Sequence, residues 1–126
     1  MTGFVDNIEE KTLANTNFRQ VLFTGAHSQL VLMSLKPQEE IGMEVHPNVD
    51  QFFRFEQGEG KVIMNGEEHL VKDGSAVVVP AGVQHNVLNT SSERDLKLYT
   101  IYSPPNHPEG TIHPTREDAM AAHKEE

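Results

Sequence analysis

Cysteine is absent from all 126 residues, so the chain can form no disulfide, carries no thiolate nucleophile and cannot hold a metal through sulfur. Any transition metal bound here must sit on histidine, carboxylate or amide donors. Basic residues are scarce: 10 Lys and Arg stand against 19 Asp and Glu, a formal net charge of −9. A surface of that sign repels nucleic acid and anionic membranes and favours solubility, so neither is expected as a partner. Long apolar runs are also missing, none approaching the ~18 residues of a membrane span. The opening stretch MTGFVDNIEEKT carries acids where a secretion signal needs a basic patch followed by an apolar one. A soluble, cytoplasmic protein is the expectation.

What the chain does have is a succession of short apolar, β-branched and aromatic runs: FRQVLFTG, QLVLMSL, IGMEVH, QFFRFEQG, KVIMNG, AVVVPAG, HNVLN and LKLYTIY. Each is of strand length, and Gly, Pro, Asn and Asp separate them. The pattern reads as all-β, a barrel or two-sheet jelly roll that limits exposed edges. Asn65 and Gly66 mark a tight hairpin whose turn needs positive φ, and Asp73 and Gly74 mark another turn. Two stretches look helical: a short turn near Asn7 to Leu13, and the tail TREDAMAAHKEE, where Thr115 and Asp118 have capping-box spacing. Between barrel and tail, Pro104, Pro105, Pro108 and Pro114 block helix and central strand alike, so this segment reads as an extended arm over the barrel or a partner subunit. One domain spanning 1–126 is expected, with the barrel at about 18–103 and the arm and tail at 104–126.

The stretch GSAVVVPAGVQHNVLN places Gly74, Pro80, Gly82, His85 and Asn89 at fixed intervals. Pro80 ends the Ala76 to Val79 strand, and Gly82 turns the backbone where a Cβ would clash. The next strand then begins at Val83, and alternation puts Val83, His85, Val87 and Asn89 on one face. If that face is the inner one, His85 points into the barrel. Upstream, EVHPNVDQFFRFEQG sets Glu44, His46, Gln51 and Gly58 at regular spacing, with Glu44 and His46 two apart and so on the same face of a strand. Phe53 and Phe55 share the face of Gln51 and should line or floor a cavity, which core packing alone would also explain. Phe52 points the other way.

The first of these two stretches resembles the second sequence motif of the cupin superfamily at every fixed position. The other resembles the first cupin motif in spacing but departs from it in two identities. Glu44 stands where the family usually has its first His, and Gln51 where it usually has its Glu. The resemblance runs from about Lys36 to Tyr102 and is nearest to small single-domain bacterial cupins, often labelled mannose-6-phosphate-isomerase-like. It implies a double-stranded β-helix (jelly-roll) barrel, here with a proline-rich C-terminal arm and a short C-terminal helix. It also implies one divalent transition metal, Fe, Mn, Ni or Zn, held by Glu44, His46 and His85. Gln51 would be a fourth ligand through its carbonyl oxygen, or a hydrogen-bond partner of a ligand. Two His and one carboxylate with open positions form the donor set of non-haem Fe(II) oxygenases.

Three functions remain open on that basis: a metal-dependent enzyme of dioxygenase type, a metal-assisted sugar isomerase or epimerase, and a non-catalytic module that binds a small molecule. A phosphosugar site would need a basic residue near the mouth, and Arg54 and Lys61 are the sequence neighbours; alternation turns Arg54 away. His27, His69 and His123 read as surface residues, whereas His107 or His113 reaches the site if the arm folds over the mouth. Cupins of this size commonly pair, so a homodimer is expected, with Phe52 at the interface or under a covering N-terminal strand and arm.

Overall fold

The computed structural model describes residues 2–125, and the side chains of residues 2–122; the expectation for the His123 side chain lies outside these. The chain begins with helix α1 (Ile8–Ala14), followed by β1 (Arg19–Thr24), β2 (Gln29–Leu35), β3 (Asp50–Gln57), β4 (Glu59–Met64), β5 (Glu67–Lys72), β6 (Ala76–Val79), β7 (His85–Asn89), β8 (Leu96–Ser103), β9 (Ile112–His113) and helix α2 (Arg116–Glu125). Two antiparallel sheets face each other, one of order β6-β3-β8-β2-β1-β9 and one of order β5-β4-β7. This is the two-sheet all-β architecture that the strand pattern implies.

Period-two alternation decides what fills the space between the sheets. In β3, Gln51, Phe53 and Phe55 are buried while Phe52 and Arg54 are only half-buried. In β8, Leu96, Leu98, Thr100 and Tyr102 share the inward face. Phe53 and Phe55 are fully buried and stack with centroids 6.3 Å apart; burying each contributes roughly 1.5–3 kcal/mol. On the outward face of β8, Lys97 is nevertheless buried. Its ammonium donates to the carbonyl oxygen of Asn15, at the end of α1, and to Ser34 Oγ at 3.3 Å. Helix α1 thus covers part of the larger sheet's outer face. Its N-cap is Asn7, whose Oδ1 accepts the Glu10 N–H at 3.0 Å.

Both expected turns at the barrel's ends form. Asn65 and Gly66 have φ of 48° and 86° and join β4 to β5, and Gly74 has φ of 88°. The Thr115–Asp118 box also forms: Thr115 Oγ1 accepts the Asp118 N–H at 3.1 Å, and Asp118 Oδ2 accepts the Thr115 N–H at 3.2 Å. The proline arm lies along the barrel, and its β9 residues extend the larger sheet by pairing His113 with Arg19 and Ile112 with Gln20.

Three local readings are corrected. IGMEVH is not a regular strand; it meets β7 only through isolated bridges, Glu40 to Leu88 and Glu44 to His85. Between these bridges Gly42 adopts φ of 110°, and its N–H goes to Asn86 Oδ1 at 2.9 Å instead of into a ladder. The strand after Pro80 begins at His85 rather than Val83. At Gly82 a Cβ would meet nothing within 4 Å; glycine is needed there for its φ of +84°.

Candidate metal centre

Paired backbones bring Glu44 and His85 side by side. The Glu44 N–H donates to the His85 carbonyl at 2.8 Å, and the His85 N–H returns to the Glu44 carbonyl at 2.9 Å. His46, two residues beyond Glu44, projects to the same side, and its Nε2 lies 2.9 Å from Glu44 Oε2. The His46 carbonyl accepts the Gly82 N–H at 2.9 Å, which ties this segment to the turn before His85. The outcome is that one donor atom from each of Glu44, His46 and His85 falls within 4.8 Å of the other two. That cluster could hold a metal ion.

Several details fit such an ion. The His85 ring is buried, with Nδ1 3.0 Å from the Val83 carbonyl oxygen. A carbonyl can only accept, so Nδ1 carries the proton and Nε2 keeps its lone pair for a metal. Burial works to raise the Glu44 pKa, but its hydrogen bond to His46 and the nearby charges of His46 and Arg19 outweigh burial and hold the carboxyl below its ordinary value. Gln51 is buried on the inward face of β3; its Nε2 donates to Thr100 Oγ1 at 3.0 Å, and its Oε1 has no hydrogen-bond partner. An orphaned buried carbonyl oxygen costs ~1–3 kcal/mol and is the chemistry a cation satisfies.

The aromatic surroundings are close. The His46 ring lies 5.5 Å from His85 and 5.9 Å edge-on from Tyr102, and Phe53 meets His85 at 6.2 Å. Phe55 sits behind Phe53. Arg54 points outward and pairs with Glu56 at 2.8 Å, and Lys61 pairs with Glu68 at 3.0 Å. Neither of these basic residues serves the site. His27 and His69 are exposed, as the sequence suggested.

A pocket of about 430 Å³ opens in front of Glu44 and His46, within the range of small-molecule sites. The arm and the two ends of the chain build its other walls, with Arg19, His107, Arg116 and Met120 among the lining residues. His107 Nε2 lies 3.2 Å from the Tyr102 hydroxyl, its ring edge-on to the phenol at 5.1 Å. Burial, and then the Arg19 charge, push the His107 pKa down to about 3. Burial pushes the Tyr102 phenol up to about 12 against the pull of Arg19. At neutral pH the pair is therefore an uncharged imidazole beside an intact phenol.

No sequence motif marks Arg19 or Tyr102. Alternation places Tyr102 with Leu98 on the inward face, and Arg19 with Val21, so the signal for the site is an arginine at an inward strand position. Arg19 is buried, with its guanidinium 5.4 Å from the Phe18 ring centroid.

A family model described as a cupin domain matches residues 31–102. The chain belongs to the cupin family. This cupin is 56% identical over 125 residues to the uncharacterized protein YrkC of Bacillus subtilis, an alignment covering 94% of this chain and 67% of that one. It is 46% identical over 113 residues to the uncharacterized protein L612 of Acanthamoeba polyphaga mimivirus, covering 86% and 70% of the two chains. Among solved structures it resembles BH2720 of Bacillus halodurans, with a TM-score of 0.91, 50% identity, and coverage of 94% and 93%. Among the described residues no helix is long and apolar enough to cross a membrane.

Proposed function

We propose that this cupin is a metal-dependent enzyme of dioxygenase type acting on a small molecule. The observation that carries the reading is the convergence of Glu44, His46 and His85 at one end of the barrel, with Glu44 and His46 lining a pocket of small-molecule size. These three residues would hold one divalent ion, Fe, Mn, Ni or Zn, with the unpartnered Oε1 of Gln51 as a fourth donor. Such an ion supplies Lewis-acid polarisation of bound oxygens and, as Fe or Mn, one-electron chemistry with O₂.

The chain's own residues do the rest. His85 keeps a fixed tautomer through Val83, and the buried Phe53 ring packs edge-on against His85 on the inner side of the site. Tyr102 and His107 hold a proton between phenolic oxygen and imidazole nitrogen at the pocket wall. The outward orientation of Arg54 and the Lys61–Glu68 pair count against the phosphosugar isomerase reading that relied on them. We further propose a homodimer, formed through the outer face of the larger sheet, where Val78 is 60% exposed beside the Phe52–Tyr99 ring pair.

The test is metal content by mass spectrometry on protein purified without chelator or affinity nickel, together with Glu44→Ala and His85→Ala. One transition metal per chain, lost in both variants, supports the site; O₂ uptake by the Fe(II)-loaded protein with a diketone or catechol supports the dioxygenase. Wild type that takes up no Fe(II), Mn(II) or Zn(II) leaves a binding module in its place.

A further inference from the structure

We infer that the pocket beside Glu44 and His46 selects a small carboxylate, and that Arg19 is the residue that binds its carboxylate group. This rests on the metal site proposed above and names the class of ligand which that site takes.

Arg19 is a cation only 5% exposed, on the inward face of β1. Buried arginines are ordinarily paired with a carboxylate or fully hydrogen-bonded. Here Nη1 donates to His113 Nδ1 at a long 3.4 Å, the Tyr102 hydroxyl is a second uncharged partner, and the Nε–H has no acceptor. Among the described residues no carboxylate lies within ion-pair distance of this guanidinium. The same side chain lines the pocket that Glu44 and His46 face. A buried cation with no direct carboxylate partner therefore opens on the space a metal-bound ligand would occupy.

The pocket's charge agrees. The whole chain is strongly acidic at −9, yet Glu44 is the one carboxylate among the described lining residues, against Arg19 and Arg116. Arg116 spends its Nε on the Glu40 carbonyl at 2.6 Å and its Nη2 on the Ile41 carbonyl at 3.5 Å, both neutral acceptors. The pocket is cationic before any metal is counted. Glu44 already acts on the Arg19 charge from a distance; with that carboxylate shared by an ion, direct ion pairing to Arg19 is left to a ligand that enters from solution. A planar carboxylate meets the edge of a guanidinium well, and a carboxylate with a neighbouring oxygen can reach guanidinium and ion together.

The experiment is calorimetric titration of Zn(II)-loaded protein with pyruvate, lactate and malonate, with pyruvamide as the uncharged isostere and inorganic phosphate as the competing anion. Arg19→Gln and Arg19→Lys are compared with wild type, each checked for fold by circular dichroism and for zinc by mass spectrometry. At least one carboxylate should bind wild type and lose about 10–100-fold in affinity in Arg19→Gln, with partial recovery in Arg19→Lys and zinc unchanged. Pyruvamide should bind wild type and Arg19→Gln alike. Carboxylate binding insensitive to Arg19, or Arg19-dependent binding of phosphate alone, overturns the inference, as does failure of all three carboxylates to bind. If Arg19→Gln does not fold, Arg19→Lys carries the same comparison. If wild type takes up no zinc, the metal reading falls separately, and the same titrations on metal-free protein decide the role of Arg19.

Discussion

Gln29 grips the backbone of His107 from both sides. Its Oε1 accepts the N–H groups of Asn106 and His107 at 3.1 and 3.0 Å, while its Nε2 donates to the His107 carbonyl at 2.7 Å and to Thr24 Oγ1 at 2.9 Å. A side chain at the start of β2, 1% exposed, thereby fixes where the proline arm crosses the barrel mouth. Gln29→Leu keeps the volume and removes all four bonds, leaving backbone groups of the arm without partners. Destabilisation of about 2–4 kcal/mol is expected in urea unfolding. Faster hydrogen exchange at the amides of Asn106 and His107 should accompany it.

Asn89 closes the family motif, but its work is structural. Its Nδ2 lies within 3.0 Å of the carbonyls of Leu35, Lys36 and Arg94, and its Oδ1 accepts the Ser91 N–H at 2.9 Å. Asn89→Ala should lower stability by about 2–4 kcal/mol while leaving metal stoichiometry at saturation unchanged. Loss of metal from folded Asn89→Ala would contradict that division of labour.

Gln51 offers a graded test of the centre. Gln51→Leu removes the orphaned Oε1 without touching the three charged or imidazole donors, and metal affinity should fall about 10–100-fold at unchanged stoichiometry. Competition with a chromogenic chelator measures this. An unaltered affinity would limit the ligand set to Glu44, His46 and His85.

His107 makes stability pH-dependent. An unfolded chain takes up a proton on this imidazole near pH 6.5, whereas the folded protein refuses it until about pH 3. The unfolded state therefore binds more protons throughout that window, and stability must fall as pH falls. The contribution is at most about 1.4 kcal/mol per pH unit. Glu44, whose folded pKa is depressed below 4.5, acts in the same direction only at lower pH. Urea midpoints from pH 6.5 to 5 isolate the histidine, and His107→Gln should flatten the slope there.

The outer sheet face bears on assembly. Val78→Glu introduces a charge at a 60% exposed apolar position, away from the core, and should turn a dimer into a monomer by sedimentation without changing the unfolding of the subunit. A wild type that sediments as a monomer would refute the proposed homodimer directly.

Much of this fold can be read from residue order, because short alternating runs and turn residues are local signals. Phe53, Phe55 and His85 could be assigned inward by counting in twos, and Glu44 beside His46 likewise. Other features depend on meetings that no local pattern encodes. Arg19 and His113 are brought together by β1–β9 pairing across most of the chain, and β9 is two residues long in a proline-rich stretch that reads as an arm. The segment around Gly42 misleads in the opposite way: its apolar alternation suggests a strand, but the positive φ at Gly42 breaks the ladder. That break leaves the Glu44–His85 bridge as a separate clamp at the site.

The family match covers residues 31–102, a span that holds every candidate metal donor yet excludes Arg19, His107 and Arg116. Ile41 to His46 line half of the pocket from within that span, and the flanks supply the other half. Two cupins with the same donor residues could differ in what they admit if their opening strands and closing arms differ. Resemblance within the barrel bears on the candidate metal donors, and part of the selectivity has to be read from the flanks.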